Sequence, residues 1–212
     1  MSRAWQQPLM PEHVVPAPTT GVFLGRNKSG PLTLRLLRPR GTRIVVFSGA
    51  YAAQLMSLRA AVSGVAVRIV THREAAWAPT LRNGSDTRLV PANGPLPPAI
   101  QGPGLFIEDR PDEPRPLAEV SDWQCLLDLR NLPEGHDEAD AARLSSFGNA
   151  DVAFFGALST TLANAAGRVF NLGDAAASLT VVPPHAVAVV ARGSVQLVRL
   201  EATPGERDAL RG

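Results

Sequence analysis

Residues 43–70, RIVVFSGAYAAQLMSLRAAVSGVAVRIV, narrow the fold more than any other stretch of the chain. Arg43 to Phe47 is a β-branched and aromatic run, and Ser48-Gly49 is a turn signal. Leu55, Leu58 and Val62 then recur at helical spacing until Gly64 stops the helix. Val65 to Val70 follows as a second strand. A strand, a helix of about four turns and a further strand make a right-handed parallel crossover. The loop after the first strand then lies at the carboxyl edge of a sheet, where folds of this kind bind ligands.

That loop lacks the residues that hold phosphate. A phosphate loop reads G-x-x-x-x-G-K-[ST]: backbone N–H groups wrap the phosphates, lysine neutralises charge and the hydroxyl holds magnesium. Here Ser48 stands for the first glycine, Ala53 for the second, Gln54 for the lysine and Leu55 for the serine or threonine. The dinucleotide fingerprint G-x-G-x-x-G is also missing, since Gly49 is the only glycine in the turn. Thr71-His72-Arg73 ends the second strand in place of an acid, and an arginine there would suit a 2′-phosphate. The residues alone favour a tight turn without ligand, Ser48 capping the helix.

Composition removes other chemistry. Lys28 is the sole lysine of the 212 residues, in the turn-like RNKSG, so lysine-dependent catalysis has one unpromising candidate. Cys125, the one cysteine, lies in the apolar run WQCLLDL and reads as a buried, inert thiol. His13, His72, His136 and His185 are widely separated, so no metal site is expected. No apolar run is long enough to span a bilayer, and MSRAWQQPLMPEHVVPAP lacks the features of a cleaved leader. A cytoplasmic location is the corresponding expectation.

The net charge of +2 conceals an asymmetry. Residues 1–90 carry 12 basic and 3 acidic groups, residues 91–150 carry 4 and 11, and residues 151–212 carry 5 of each. Such halves can pair internally or between subunits. Arg35, Arg38, Arg40 and Arg43 form a candidate basic patch for nucleic acid, without the interleaved aromatics that would strengthen it.

Residues 1–20, proline-rich and aperiodic, read as a flexible arm; 21–204 read as one α/β domain and 205–212 as a C-terminal tail with helical pattern. Two apolar runs around NKSGP predict a hairpin. Residues 74–104 read as irregular with one edge strand at Thr87 to Val90, and Leu105 to Ile107 as a brief strand. Glu108-Asp109 and Asp112-Glu113 are assigned to a solvated acidic loop. Further strands are predicted at Trp123 to Leu129, Asp151 to Gly156, His185 to Arg192 and Ser194 to Leu200. Helices are predicted at Asp137 to Phe147 and Ser159 to Gly167, the latter capped by Ser159 or Thr160, with a helical turn at Asp174 to Leu179. The fold class is α/β, a mixed, mainly parallel sheet in a three-layer sandwich with flanking β-hairpins.

Several phrases resemble the FtsK/EccC branch of P-loop ATPases, the motors of DNA translocation and type VII secretion. The hairpin GVFLGRNKSGPLTLRL is similar to that family's G-x-x-x-G-R-x-x-x-G-x-P-x-x-L before the phosphate-loop strand. Met56-Ser57-Leu58-Arg59-Ala60-Ala61 stands where the family has L-L-R and apolar residues. NADVAFFGALSTTLANAAG and PPHAVAVVARGSVQLVRL resemble its late strand, helix and closing hairpin. The family's Walker B strand is four apolar residues followed by two acids, the first supporting magnesium and the second activating water. Gln124-Cys125-Leu126-Leu127-Asp128-Leu129 matches it at Asp128 alone.

The resemblance therefore implies a degenerate P-loop-like domain without ATP hydrolysis. Ser48, Gly49, Ala53, Gln54 and Leu55 are its vestigial nucleotide loop and Asp128 its vestigial Walker B residue. It implies no cofactor, and protein partners: an active FtsK/EccC-type ATPase or a second copy of this chain, at the membrane through a secretion assembly. Two alternatives stay open: a small ligand or nucleotide held by the 48–54 turn, and weak nucleic-acid binding through the basic N-terminal part.

Overall fold

A computed structural model describes residues 21–91, 102–111, 120–132 and 144–211. The opening segment folds as its pattern predicts. Strand β3 (Thr42–Val46) runs through the Ser48-Gly49 turn into helix α1 (Ala50–Val62), and Gly64 releases the chain into β4 (Ala66–Thr71). Ahead of it, β1 (Val22–Asn27) and β2 (Gly30–Leu34) form the hairpin, with Lys28 exposed in its turn. After β4 come α2 (Glu74–Asn83), β5 (Thr87–Val90), β6 (Gly104–Asp109) and β7 (Gln124–Leu129). The chain continues through β8 (Val152–Phe155), α3 (Thr160–Val169), β9 (Ala186–Ala191), β10 (Ser194–Leu200) and α4 (Pro204–Arg211). Short 3-10 helices occupy Leu144–Phe147 and Gly173–Val181.

The strands form one ten-stranded sheet in the order β2-β1-β10-β9-β8-β3-β7-β6-β4-β5 among the described residues. From β8 to β5 neighbouring strands are parallel, and from β9 to β2 they are antiparallel, so the sheet is mixed with a parallel half and a hairpin half. β3 lies between β7 and β8, where the order reverses, and its carboxyl end is the switch point at which α/β sheets place ligands.

Strand alternation builds two cores, which makes the sandwich three layers deep. Ile44 and Val46 face α1 and α2 with Met56, Ala60, Trp77 and Leu105. Val45 and Phe47 face the opposite side, with Phe155, Leu162, Ala166 and Leu179. There Phe47 stacks on Phe155 at 5.1 Å between ring centroids and meets Phe147 edge-on at 5.3 Å. Ser159 caps α3 as expected, its Oγ accepting from Leu162 N at 3.3 Å.

Three sequence expectations need correction. Residues 74–83, read as irregular, are α2, because Trp77 and Thr80 bury one face of a helix whose local signal is weakened by Pro79. Glu108 and Asp109 do not lie in a solvated loop: β6 runs on through both, and all six of its residues are buried. The segment 205–212, read as a tail with helical pattern, is helical as expected from Pro204 to Arg211, but as helix α4 it packs on α1 and does not trail from the domain. The arm 1–20, Asp112-Glu113, His13, His136 and all but the last turn of the helix expected at Asp137 to Phe147 lie outside the described residues.

Gly25 lies opposite Leu200 in the β1–β10 pairing, where the backbone of β10 leaves no room for a side chain. A Cβ added there would lie 1.9 Å from the Arg199 carbonyl oxygen, whereas one added at Gly156 meets nothing within 4 Å. Gly25→Ala should therefore cost about 2 kcal/mol of stability in urea titration, and Gly156→Ala should stay within about 0.5 kcal/mol of the parent. Equal losses at both positions would show that the close approach does not control this pairing.

Candidate functional site at the carboxyl edge of the sheet

The turn after β3 is held by its neighbours. Phe47 N donates to Phe154 O at 2.8 Å, and Arg130 N donates to Val46 O at 3.0 Å, so β8 and β7 grip both sides. Gly49 has φ 83°, a conformation in which a side chain is strained, and is the N-cap of α1 without any side-chain cap bond. Ser48 does not cap the helix as expected; its buried Oγ has no hydrogen-bond partner. The amino end of α1 thus presents backbone N–H groups to an uncapped turn, and its first turn contains no acid.

The rest of the vestigial loop points elsewhere. Ala53 and Leu55 are fully buried in the protein interior. Gln54, where a phosphate loop has lysine, donates its amide to Ala76 O at 2.7 Å and so ties α1 to α2. Neither cation nor hydroxyl is supplied from the positions that would carry them.

Beside the turn, β6 and β7 end in acids that pair across the sheet, Glu108 opposite Asp128. Residues two apart on a strand share a face, and each acid is followed at that spacing by an arginine. Glu108 pairs with Arg110, and Asp128 pairs with Arg130 at 2.7 Å. The Arg130 guanidinium also lies 5.8 Å from the centroid of the Phe147 ring. All four residues are buried.

Burial dominates at Asp128. Its carboxyl is pushed up to about 6 because loss of water outweighs the attraction of Arg130, and the charge of Glu108 adds to the rise. An ion pair at hydrogen-bonding distance would by itself lower that value, so desolvation is the larger effect here.

Asp109 faces the opposite layer and is saturated. It accepts from Trp77 Nε1 at 2.7 Å, from Thr71 Oγ1 at 2.7 Å and from Arg73 Nε at 3.3 Å, with a second Arg73 contact at its other oxygen. Its side chain is 0% exposed. Thr71 Oγ1 accepts in turn from Arg73 N at 2.8 Å, which fixes the loop after β4.

The pattern of apolar residues followed by two acids is met more closely by Leu105-Phe106-Ile107-Glu108-Asp109 than by the strand ending at Asp128-Leu129. The signal was legible as an apolar triplet before two acids, but the prolines that follow made it read as a loop. Among the described residues, no three His, Cys, Asp or Glu side chains are grouped to hold a metal ion.

The candidate basic residues belong to the other end of the strands. Asp151, just before β8, pairs with Arg38 at 2.9 Å and Arg40 at 3.0 Å and accepts from Arg43 N at 2.9 Å. Arg35 is exposed beyond β2. Two of the four arginines are therefore committed to one carboxylate at the amino edge, and the structure does not assemble them with the turn at Ser48. Cys125 is buried, and burial pushes its thiol far up from the ordinary range, as befits an inert core sulfur. His185 is exposed ahead of β9.

Comparison of the chain with protein-family models, with curated proteins and with solved structures finds no match.

Proposed function

We propose that the chain is a non-catalytic interaction or scaffold domain of FtsK/EccC-like descent, an accessory component of a type VII secretion assembly. The observation that supports this most is the arginine at every carboxylate of the candidate site: Arg110 on Glu108, Arg130 on Asp128 and Arg73 on Asp109. At Glu108 and Asp109 a guanidinium is hydrogen-bonded to oxygens that would coordinate magnesium, and at all three carboxylates its charge repels the ion. With Gln54 bonded to α2, the position of the phosphate-loop lysine supplies no charge to offset that of a triphosphate.

A domain of this kind acts by its surface, with an active ATPase of the same family or a second copy as partner. No helix among the described residues is long and apolar enough to cross a membrane, so a membrane-bound assembly would hold it through protein contacts. The test is ATP hydrolysis with magnesium by the purified chain, together with co-purification with an EccC-type ATPase. Background turnover with stable co-purification is expected. Magnesium-dependent turnover that disappears in Glu108→Gln would overturn the reading.

A second reading is favoured by Ser48 alone. Its unpartnered Oγ beside the uncapped end of α1 suits a small anion, including the phosphate of a nucleotide. Calorimetry with ATP, GTP and dinucleotides separates the two, since heat at micromolar ligand that is lost in Ser48→Ala would select the second. Nucleic-acid binding is not favoured, because Arg38 and Arg40 already serve Asp151.

A further inference from the structure

Arg59, on the outer side of α1, gathers three other parts of the chain around one guanidinium. It donates to the Phe23 carbonyl of β1 and lies 5.4 Å from the centroid of that residue's ring. Nη2 donates to the Glu201 carbonyl at 2.6 Å, in the link after β10. Nε and Nη2 grip the Glu206 carboxylate of α4 at 2.6 and 2.7 Å.

Glu206 has a second task in the same place. It accepts from Thr203 N at 2.7 Å while its own N–H reaches Thr203 Oγ1 at 3.2 Å, a capping box that starts α4. One carboxylate thus both begins the helix and docks it. Little else does so, for no residue from Pro204 to Leu210 is buried, and Ala209 and Leu210 are only half-buried. Beside the contact a cleft of about 350 Å³ separates α4 from α1, lined by Leu58 and Val62 among others, Val62 being 65% exposed.

We infer that α4 is a latch, an element that docks on α1 and leaves it as a unit through Glu206, while Arg59 keeps its other partners in both states. The link after β10 stays in place on release, because Glu201 N is bonded to Leu24 O at 3.1 Å, which puts the hinge at Ala202 and Thr203. Arg59 retains two carbonyls and the Phe23 ring while Glu206 passes into water, so the guanidinium keeps hydrogen-bond acceptors and the lost ion pair is the main cost of undocking. Release widens the cleft and uncovers Leu58 on α1, next to the already exposed Val62. Elements that bury few apolar groups open at lower free energy than the core, and α4 meets that description.

Hydrogen exchange of the full chain tests the latch, with Glu206→Gln as the variant, since glutamine still completes a capping box and so isolates docking from helix initiation. In the parent, amides 205–211 should exchange faster than those of α1. In the variant, protection of 205–211 should fall by about tenfold while α1 and the parallel strands keep theirs. Parent α4 amides that exchange only with the core, or a variant that loses protection equally in α1 and β1, would overturn the proposal. Thr203→Val serves as the second variant: it removes the cap hydroxyl but leaves the carboxylate on Arg59, and should lower protection of 205–211 less than Glu206→Gln. A larger loss there would assign α4 to capping and not to the latch.

Discussion

Asp109→Ala should destabilise the protein by about 4 kcal/mol, the largest loss expected from any single carboxylate of the fold. Asp109 is the common acceptor for Trp77 Nε1, Thr71 Oγ1 and Arg73, and it has no exposure through which water could replace it. Its removal leaves an indole N–H and a hydroxyl buried without an acceptor and a guanidinium without its counter-charge. It also loosens α2 from β6, since Trp77 is the fully buried anchor of that helix. Trp77→Phe, which deletes one donor and leaves the bonds from Thr71 and Arg73 in place, should cost about 1.5 kcal/mol. Urea unfolding of the two variants side by side measures both. A loss under about 1 kcal/mol for Asp109→Ala would mean that water enters and satisfies the network, and that α2 is anchored by its apolar contacts alone.

At Asp128 the expected effect depends on pH. Burial raises its carboxyl from 3.8 to about 6, so between those values the folded state holds a proton that the unfolded chain releases. The contribution to stability is complete below about pH 3.8 and is lost as pH rises through 6, the reverse of an ordinary salt-bridged carboxylate. The shift corresponds to about 3 kcal/mol. Asp128→Asn imitates the protonated form at every pH, so it should match the parent near pH 4 and exceed it in stability by up to about 3 kcal/mol at pH 7. Denaturation midpoints at several pH values in that interval give the difference curve directly. A flat curve, or one that favours the parent as pH rises, would show that the pairing with Arg130 outweighs desolvation.

Both effects concern acids that stand differently in the sequence. Asp128 lies in WQCLLDL, whose apolar run announces a buried strand. Asp109 lies in FIEDRPDEPRP, where the prolines and charges suggest a loop, and no local pattern distinguishes a buried carboxylate from a solvated one. What buries it is Trp77, 32 positions away, on a helix that Pro79 had hidden. Ser48 illustrates the same limit on a smaller scale, because a serine before a helix reads as a cap whatever its rotamer. The cap position falls one residue later, at Gly49, and the hydroxyl is left without a partner.

The fate of the basic residues was equally beyond sequence. Clustered arginines at 35–43 read as a patch, but the parallel pairing of β3 with β8 brings Asp151 beneath Arg38 and Arg40. A charge count by segment cannot foresee which acid the sheet will deliver to which arginine.

Sequence by itself determined the class of fold and most of its strands, because alternation, β-branched runs and turn residues act over a few positions at a time. It also determined what the turn after β3 lacks, since missing glycines and a missing lysine are matters of identity. Tertiary structure decided which carboxylates are buried, which arginine each one meets, and that Glu206 joins α4 to α1. Those outcomes depend on strand order and on helices packing across long separations. There the balance between desolvation and pairing is set by three-dimensional neighbours, and no local pattern in the chain encodes them.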